Sequence, residues 1–477
     1  MVEKPRSGLN KNTGNINRAN HAEYTRQVSK PSLSSQSQTG RTRNNPIAQN
    51  NKNNQNSRTG QQVSGYKTDV MPDAKKQRET SRMPFGLFGK KRNVVELVRY
   101  REGVDRLFLI LVIILLCLGT VMIFSASYAN ALQYYGNSYF FAEKQIMMAA
   151  IGIAVMIVTS LFADYTLIEK FAAPIFVVTL ALNYITPFYG RLSHGATRWI
   201  NIAGQQIQPS EFLKLAVVIF FAFYITKVGE KIKTFKWGIA FPVLIVLSLC
   251  GAMFMQSHLS GLIIITLICA AILFIGEAPK IFFITGASLA ALAVSLIVNF
   301  NEKVVEILVS LTGKTYAGDR LRIWLDPFID PRDKGHQIIQ SLYAIGSGGL
   351  TGLGWGQSRQ KFLYLPEPQN DFIFAIICEE MGFIGALLII ALFILLIWRG
   401  FVIAYYAPNK FSSLVVMGIT IKVALQFLLN IAVVTNTVPT TGISLPFFSY
   451  GGTALIVLMA EMGIILSISR YSYQEKP

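Results

Sequence analysis

Cysteine is scarce in this 477-residue chain. Cys117, Cys250, Cys269 and Cys378 all lie in apolar stretches without CxxC spacing. That points to packing rather than to disulfides or a metal, and leaves the redox compartment unread. Charge is also scarce. Only 15% of residues are Asp, Glu, Lys or Arg, while 52% are hydrophobic. A soluble domain carries about 25% charged residues, so a single soluble globule is excluded. Of the four histidines, His194, His258 and His336 stand alone, and no His/Cys/Asp set has metal-ligand spacing, so no metal site is expected. The run Gly346–Gly352 loosely resembles a phosphate-binding loop, but no strand precedes it and no Gly-Lys-Ser/Thr follows. A nucleotide site and ATP-driven transport are therefore not expected, and the run reads as a turn that lets backbones approach closely.

What is present is a series of long apolar blocks. Ten stretches, near 106–127, 145–163, 172–188, 211–228, 237–256, 258–276, 281–300, 373–398, 412–434 and 448–469, read as membrane spans. The expected fold class is all-α: a polytopic membrane protein of ten transmembrane helices, with a large extracytoplasmic loop, 301–372, between helices 7 and 8. The net charge of +18 does not indicate nucleic acid, because most of it is local: residues 1–105 hold 20 Lys and Arg against 8 Asp and Glu. Residues 1–85 are polar and poor in aliphatic side chains, and read as a disordered cytoplasmic tail. No apolar segment opens the chain, so no cleavable signal peptide is expected. Residues 86–105 form a basic juxtamembrane segment, with Lys90, Lys91, Arg92, Arg99 and Arg101 just ahead of Arg106. The spans occupy 106–470, and 471–477 is a short C-terminal tail. Lys227, Lys231, Lys233, Lys236, Arg399, Lys410 and Arg470 fall on the same side as the N-terminus, whereas 435–447 is uncharged. By the positive-inside rule both termini are cytoplasmic.

Two outer segments, 189–210 and 301–372, hold the residues with chemical potential. In the first, Arg198 and Trp199 are followed by Gln208-Pro209-Ser210-Glu211, with Lys214 three residues after Glu211. Ser210 reads as an N-cap. Glu211 and Lys214 form either a helix-end pair or, with Arg198 and Trp199, a polar pocket for an anionic lipid-linked ligand. In the second, Asp371 stands where a proline-bearing loop becomes a span, and reads equally as an N-cap or as a part-desolvated base. Arg198, Arg320, Arg322, Arg359 and Lys361 are the cations a pyrophosphate leaving group would need, although Arg320 and Arg322 read as well as solvated loop charges. Glu379, Glu380, Lys422 and Glu461 lie inside spans, which implies a polar interior or mutual pairing.

Three stretches, Gly195–Ala216, Gly335–Ala386 and Thr440–Ile456, resemble the SEDS family of bacterial peptidoglycan polymerases, in the order and topology of that family from about 105 to 470. Pro446–Gly452 is more similar to its division and sporulation branches (FtsW-like and SpoVE-like) than to the elongation branch (RodA-like). Gln256-Ser257-His258 stands where many members of the family have Gln-Pro-Asp or Glu-Pro-His, and Asn370 where many have Thr. The resemblance implies a ten-span peptidoglycan glycosyltransferase in the cytoplasmic membrane that polymerises lipid II on the outer face. It further implies a class B penicillin-binding protein and other division proteins as partners. It implies Asp371 as the catalytic residue and Arg198, Trp199, Glu211 and Lys214 at the family's other motif positions. Arg359 and Lys361 complete the expected substrate-binding set. No cofactor is expected, and dependence on a divalent cation is left open. The alternatives are a lipid II flippase and a non-catalytic division scaffold.

Overall fold

A computed structural model describes residues 103–193, 196–202, 205–300 and 315–471, together with the strands Leu97–Arg99 (β1) and Tyr473–Glu475 (β5). The tail 1–85, most of the juxtamembrane segment 86–105, residues 301–314 of the long loop and part of 471–477 lie outside the described residues.

Among the described residues nine helices are long and apolar enough to span a membrane. They are Arg106–Tyr135 (α1), Phe140–Phe162 (α2), Tyr165–Tyr189 (α3), Pro209–Val228 (α4) with a following 3-10 turn, and Phe241–Met255 (α5) with a preceding π turn. Then come Lys280–Asn299 (α7), Ile373–Tyr405 (α10), Lys410–Val434 (α11) and Gly452–Ser469 (α12). The expected sixth span is an apolar helix of 17 residues, Leu259–Ile275 (α6). Among the described residues the long loop contains the helices Thr315–Leu325 (α8) and His336–Gly348 (α9).

Local sequence sets the boundaries. Asp105 caps α1 by accepting from the Phe108 amide at 2.9 Å, and Asn409 caps α11 by accepting from the Ser412 amide at 2.8 Å. The Asp105 carboxylate also takes Arg399 of α10 at 2.7 Å, while its backbone amide donates to Ser469 Oγ of α12 at 3.1 Å. Both ends of the helical domain therefore meet at one end of the bundle, where β1 pairs antiparallel with β5.

Two features depart from the expected all-helical reading. Three short strands, Arg191–Ser193 (β2), Ala196–Ile202 (β3) and Gln205–Ile207 (β4), form an antiparallel sheet. And α10 is broken at Gly382, whose φ of 66° and ψ of −168° leave the helical region. The break frees backbone groups inside a span, where no water can satisfy them. The glycine-rich run after α9 does so instead. Leu353 and Gly354 amides donate to the carbonyls of Glu379 and Glu380 at 2.9 and 3.0 Å, and Phe383 and Ile384 amides donate to those of Gly349 and Leu350 at 2.9 and 3.1 Å. The close backbone approach expected of Gly346–Gly352 is thus made to a broken helix.

A Cβ at Gly382 would collide with the Gly352 amide and the Leu350 carbonyl, both backbone. Gly382→Ala is expected to cost about 3 kcal/mol through the collision and the left-handed φ together. Thermal unfolding of purified protein in detergent checks this; an unshifted melting temperature would show that the break is not rigidly held.

Candidate active site

The end of the bundle opposite β1 and β5 gathers the candidate residues. Pro209 occupies the first position of α4, where a missing amide hydrogen costs nothing. This corrects the capping expectation: Gln208 takes the N-cap position without a side-chain bond, and Ser210 lies one residue inside, its hydroxyl buried without a partner. Asn183 of α3 fastens this start, donating from Nδ2 to the Pro209 carbonyl at 3.2 Å while its own carbonyl accepts from Gln256 Nε2 at 2.8 Å. One turn in, Lys214 Nζ meets Glu211 Oε1 at 2.7 Å, both side chains buried. Deeper, Lys422 of α11 pairs with Glu461 of α12 at 2.5 Å, also buried. The two pairs influence each other electrostatically, so the intramembrane charges neutralise in pairs as their cost requires.

Arg198 and Trp199 lie on β3, both half-buried. Arg198 Nη2 donates to the Ser257 carbonyl at 2.7 Å, drawing the sheet onto the turn between α5 and α6. Ser257 holds a φ of 52°, and the next residue, His258, is buried beside Arg198, Lys214 and Glu211.

Asp371 does not cap α10. Phe372 holds the N-cap position with no side-chain bond, which sets aside the capping alternative. The backbone of Asp371 is nonetheless fixed: Asn430 of α11 donates from Nδ2 to the Asp371 and Ile443 carbonyls, each at 2.7 Å. Its neighbour Gln369 accepts at its carbonyl from the Tyr450 amide at 2.9 Å and at Oε1 from Asn130 at 3.3 Å. The segment after α11 runs alongside, and Gly442, with φ of 67°, passes so close that a Cβ would stand 3.1 Å from Asp371 Oδ2.

Electrostatically the carboxylate is held between opposing influences. Burial raises its pKa to about 6, Arg320 and Arg198 oppose that rise, and Glu367 adds to it. Arg320 is further anchored by donating to the Thr440 carbonyl. Such a carboxylate is ionised at neutral pH yet more basic than an ordinary one, which suits a general base.

The other expected cations separate. Arg322 and Arg359 are exposed. Lys361 is buried, its ammonium 2.9 Å from Glu380 Oε1 and 3.2 Å from Ser125 Oγ. This removes Lys361 from the set available to a pyrophosphate, because its charge is committed to an internal carboxylate. Arg320, which reads as well as a solvated charge, bears electrostatically on Asp371. Asn430, Gly442 and His258 were not singled out as site residues, since each reaches the site through contacts distant in sequence.

The family model for cell cycle proteins of the FtsW, RodA and SpoVE type matches residues 105–474. The chain belongs to this family. It is 38% identical over 370 residues to stage V sporulation protein E of Bacillus subtilis, covering 77% of this chain and 97% of that protein. It is 37% identical over 374 residues to a probable peptidoglycan glycosyltransferase FtsW of Geobacter sp. strain M18, covering 78% of this chain and 98% of that protein. Among solved structures it resembles a chain from a peptidoglycan synthase complex that coordinates polymerization and crosslinking. The TM-score there is 0.63 at 26% identity, over 78% of this chain and 99% of that one. Thermus thermophilus RodA shares the fold with a TM-score of 0.56 at 23% identity, over 78% of this chain and 98% of that one.

Proposed function

We propose that this FtsW/RodA/SpoVE-family chain is a peptidoglycan glycosyltransferase that polymerises lipid II during cell division or spore cortex synthesis. The observation that carries the reading is Asp371: a half-buried carboxylate that caps no helix, is fixed through its backbone, and lies in the electrostatic field of Arg198 and Arg320. Asp371 takes the proton from the acceptor sugar's 4-hydroxyl as that oxygen attacks the anomeric carbon of the growing chain. The bond from that carbon to the pyrophosphate breaks, and undecaprenyl pyrophosphate departs with the electron pair. Arg198 and Arg320 stabilise the departing charge. Trp199, half-buried beside Arg198, packs on sugar or isoprenoid. Glu211 and Lys214, buried as an ion pair, act together as a neutral polar element near the start of α4, and exposed Arg359 is left available to an anionic substrate. In this reading the site faces the outside of the cytoplasmic membrane and both termini are cytoplasmic, supported by the lysines between α4 and α5 and by Arg399 and Lys410 at the opposite end. A class B penicillin-binding protein is the proposed partner, since a structural relative belongs to a complex that joins polymerization to crosslinking.

Labelled lipid II given to the purified chain in proteoliposomes tests the reading. Glycan strands on a gel support it; label crossing the bilayer without polymer would favour the flippase alternative. Within the site, Arg198→Lys keeps the charge but loses the planar fork that donates to Ser257. Turnover is expected to fall about 10- to 100-fold, the loss of a charge-assisted hydrogen bond, and a near-normal rate would leave Arg198 a surface anchor only.

A further inference from the structure

The 24 residues between the end of α9 and the start of α10 contain no regular secondary structure, yet they deliver Asp371. A connection of that length has many conformations, so something must select one. Two adjacent residues of α10 do so at several points. Glu379, through its carboxylate, accepts from Ser358 Oγ at 2.5 Å, from the Arg359 amide at 2.9 Å and from the Gln360 amide at 3.3 Å. Glu380 accepts from Lys361 Nζ at 2.9 Å and from Ser125 Oγ of α1 at 2.7 Å. Their carbonyls, freed by the break at Gly382, accept from Leu353 and Gly354. Ser358, Lys361 and both glutamates are buried.

We infer that Glu379 and Glu380, with Lys361, Ser358 and Ser125, are positioning residues that clamp the loop so that Asp371 meets the acceptor hydroxyl. This rests on the proposed reading of Asp371 as the base. The clamp acts through the loop and not on the carboxylate itself, because the charges that bear on Asp371 are Arg320, Glu367 and Arg198. Lys361 lies ten residues before Asp371, and Leu365 between them is buried, its amide donating to the Gln360 carbonyl at 2.9 Å. Asn430 holds the far end of the loop and the glutamates hold its middle. An apolar contact would stabilise a membrane bundle as well as this buried ion pair does. What the pair adds is direction: hydrogen bonds out of water fix one register of loop against helix.

The test is a set of purified full-length variants with lipid II as the probe. Lys361→Met and Glu380→Gln should each lower the melting temperature by stranding a buried charge. The double variant strands none and should recover most of that loss. Its turnover should still fall about 10- to 100-fold with KM within twofold of wild type, the signature of a misplaced reacting group. Its acid limb in turnover should move from near pH 6 toward the ordinary carboxylate range of about 4 as water reaches Asp371. A double variant with recovered stability, wild-type turnover and an unmoved limb overturns the inference. Should it not recover stability, Ser358→Ala decides, since it removes the hydroxyl that donates to Glu379 and accepts from the Lys361 amide, and strands no charge. Reduced turnover at unchanged KM supports the clamp, and wild-type turnover overturns it. A wild-type chain that makes no glycan, or an Asp371→Asn variant as active as wild type, would instead refute the function on which the clamp rests.

Discussion

Asp371→Asn is expected to lower the rate of glycan polymerisation by about 100- to 10,000-fold, the usual contribution of a positioned general base, while leaving the fold intact. The amide is nearly isosteric with the carboxylate and cannot accept a proton at neutral pH. Stability should hardly change, because Asp371 neither caps α10 nor supplies a side-chain anchor; the contact that fixes it runs from Asn430 to its carbonyl, which any residue provides. Binding of lipid II should persist, since Arg198 and Arg320 remain and lose a neighbouring negative charge. A capping residue would differ in the rate, with asparagine serving as well as aspartate in both stability and turnover.

Lys422→Ala is expected to give the largest loss of stability, about 3 to 5 kcal/mol, the range for breaking a buried ion pair from one side. It leaves Glu461 fully buried without its ion-pair partner; Glu461 Oε2 already lacks a hydrogen-bond partner, so the 2.5 Å contact at Oε1 is the bond that compensates the carboxylate. Thermal unfolding in detergent should show the drop. Lys422→Met combined with Glu461→Leu should recover most of it, because a well-packed apolar pair needs no compensation. A single variant that melts with wild type would mean that the pair is not isolated from water.

The sequence made the spans legible because lipid imposes a simple demand: long runs without charge. It made Arg198, Trp199 and Asp371 legible as candidates through the resemblance of their motifs. The break in α10 was hidden, since Gly382 stands alone in an apolar run and one glycine does not interrupt a span by composition. The adjacent carboxylates Glu379 and Glu380 were the available clue, because two ionised groups inside a span require partners. Which partners they take is set by Ser125, Ser358 and Lys361, at separations that no local pattern encodes. The same holds for Arg320, indistinguishable in sequence from exposed Arg322 two residues later until folding brings one within electrostatic reach of Asp371 and leaves the other at the surface. Ser210 was misplaced by one residue because Pro209 is better suited to the first helical position than to the cap. The sheet of β2, β3 and β4 is short and polar, without the alternation that marks a strand beforehand.

The central claim is that Asp371 is the base of polymerisation, and the pH dependence of turnover by purified wild-type protein, beside Asp371→Asn, tests it most directly. A base must be deprotonated to act, so a carboxylate whose burial raises it to about 6 loses activity as pH falls through that value and is fully active above it. Wild-type turnover should rise to a plateau through a limb near pH 6, and the residual turnover of Asp371→Asn should show no such limb. The same limb in both proteins, or a wild-type rate that is flat from pH 5 to pH 8, would contradict the assignment.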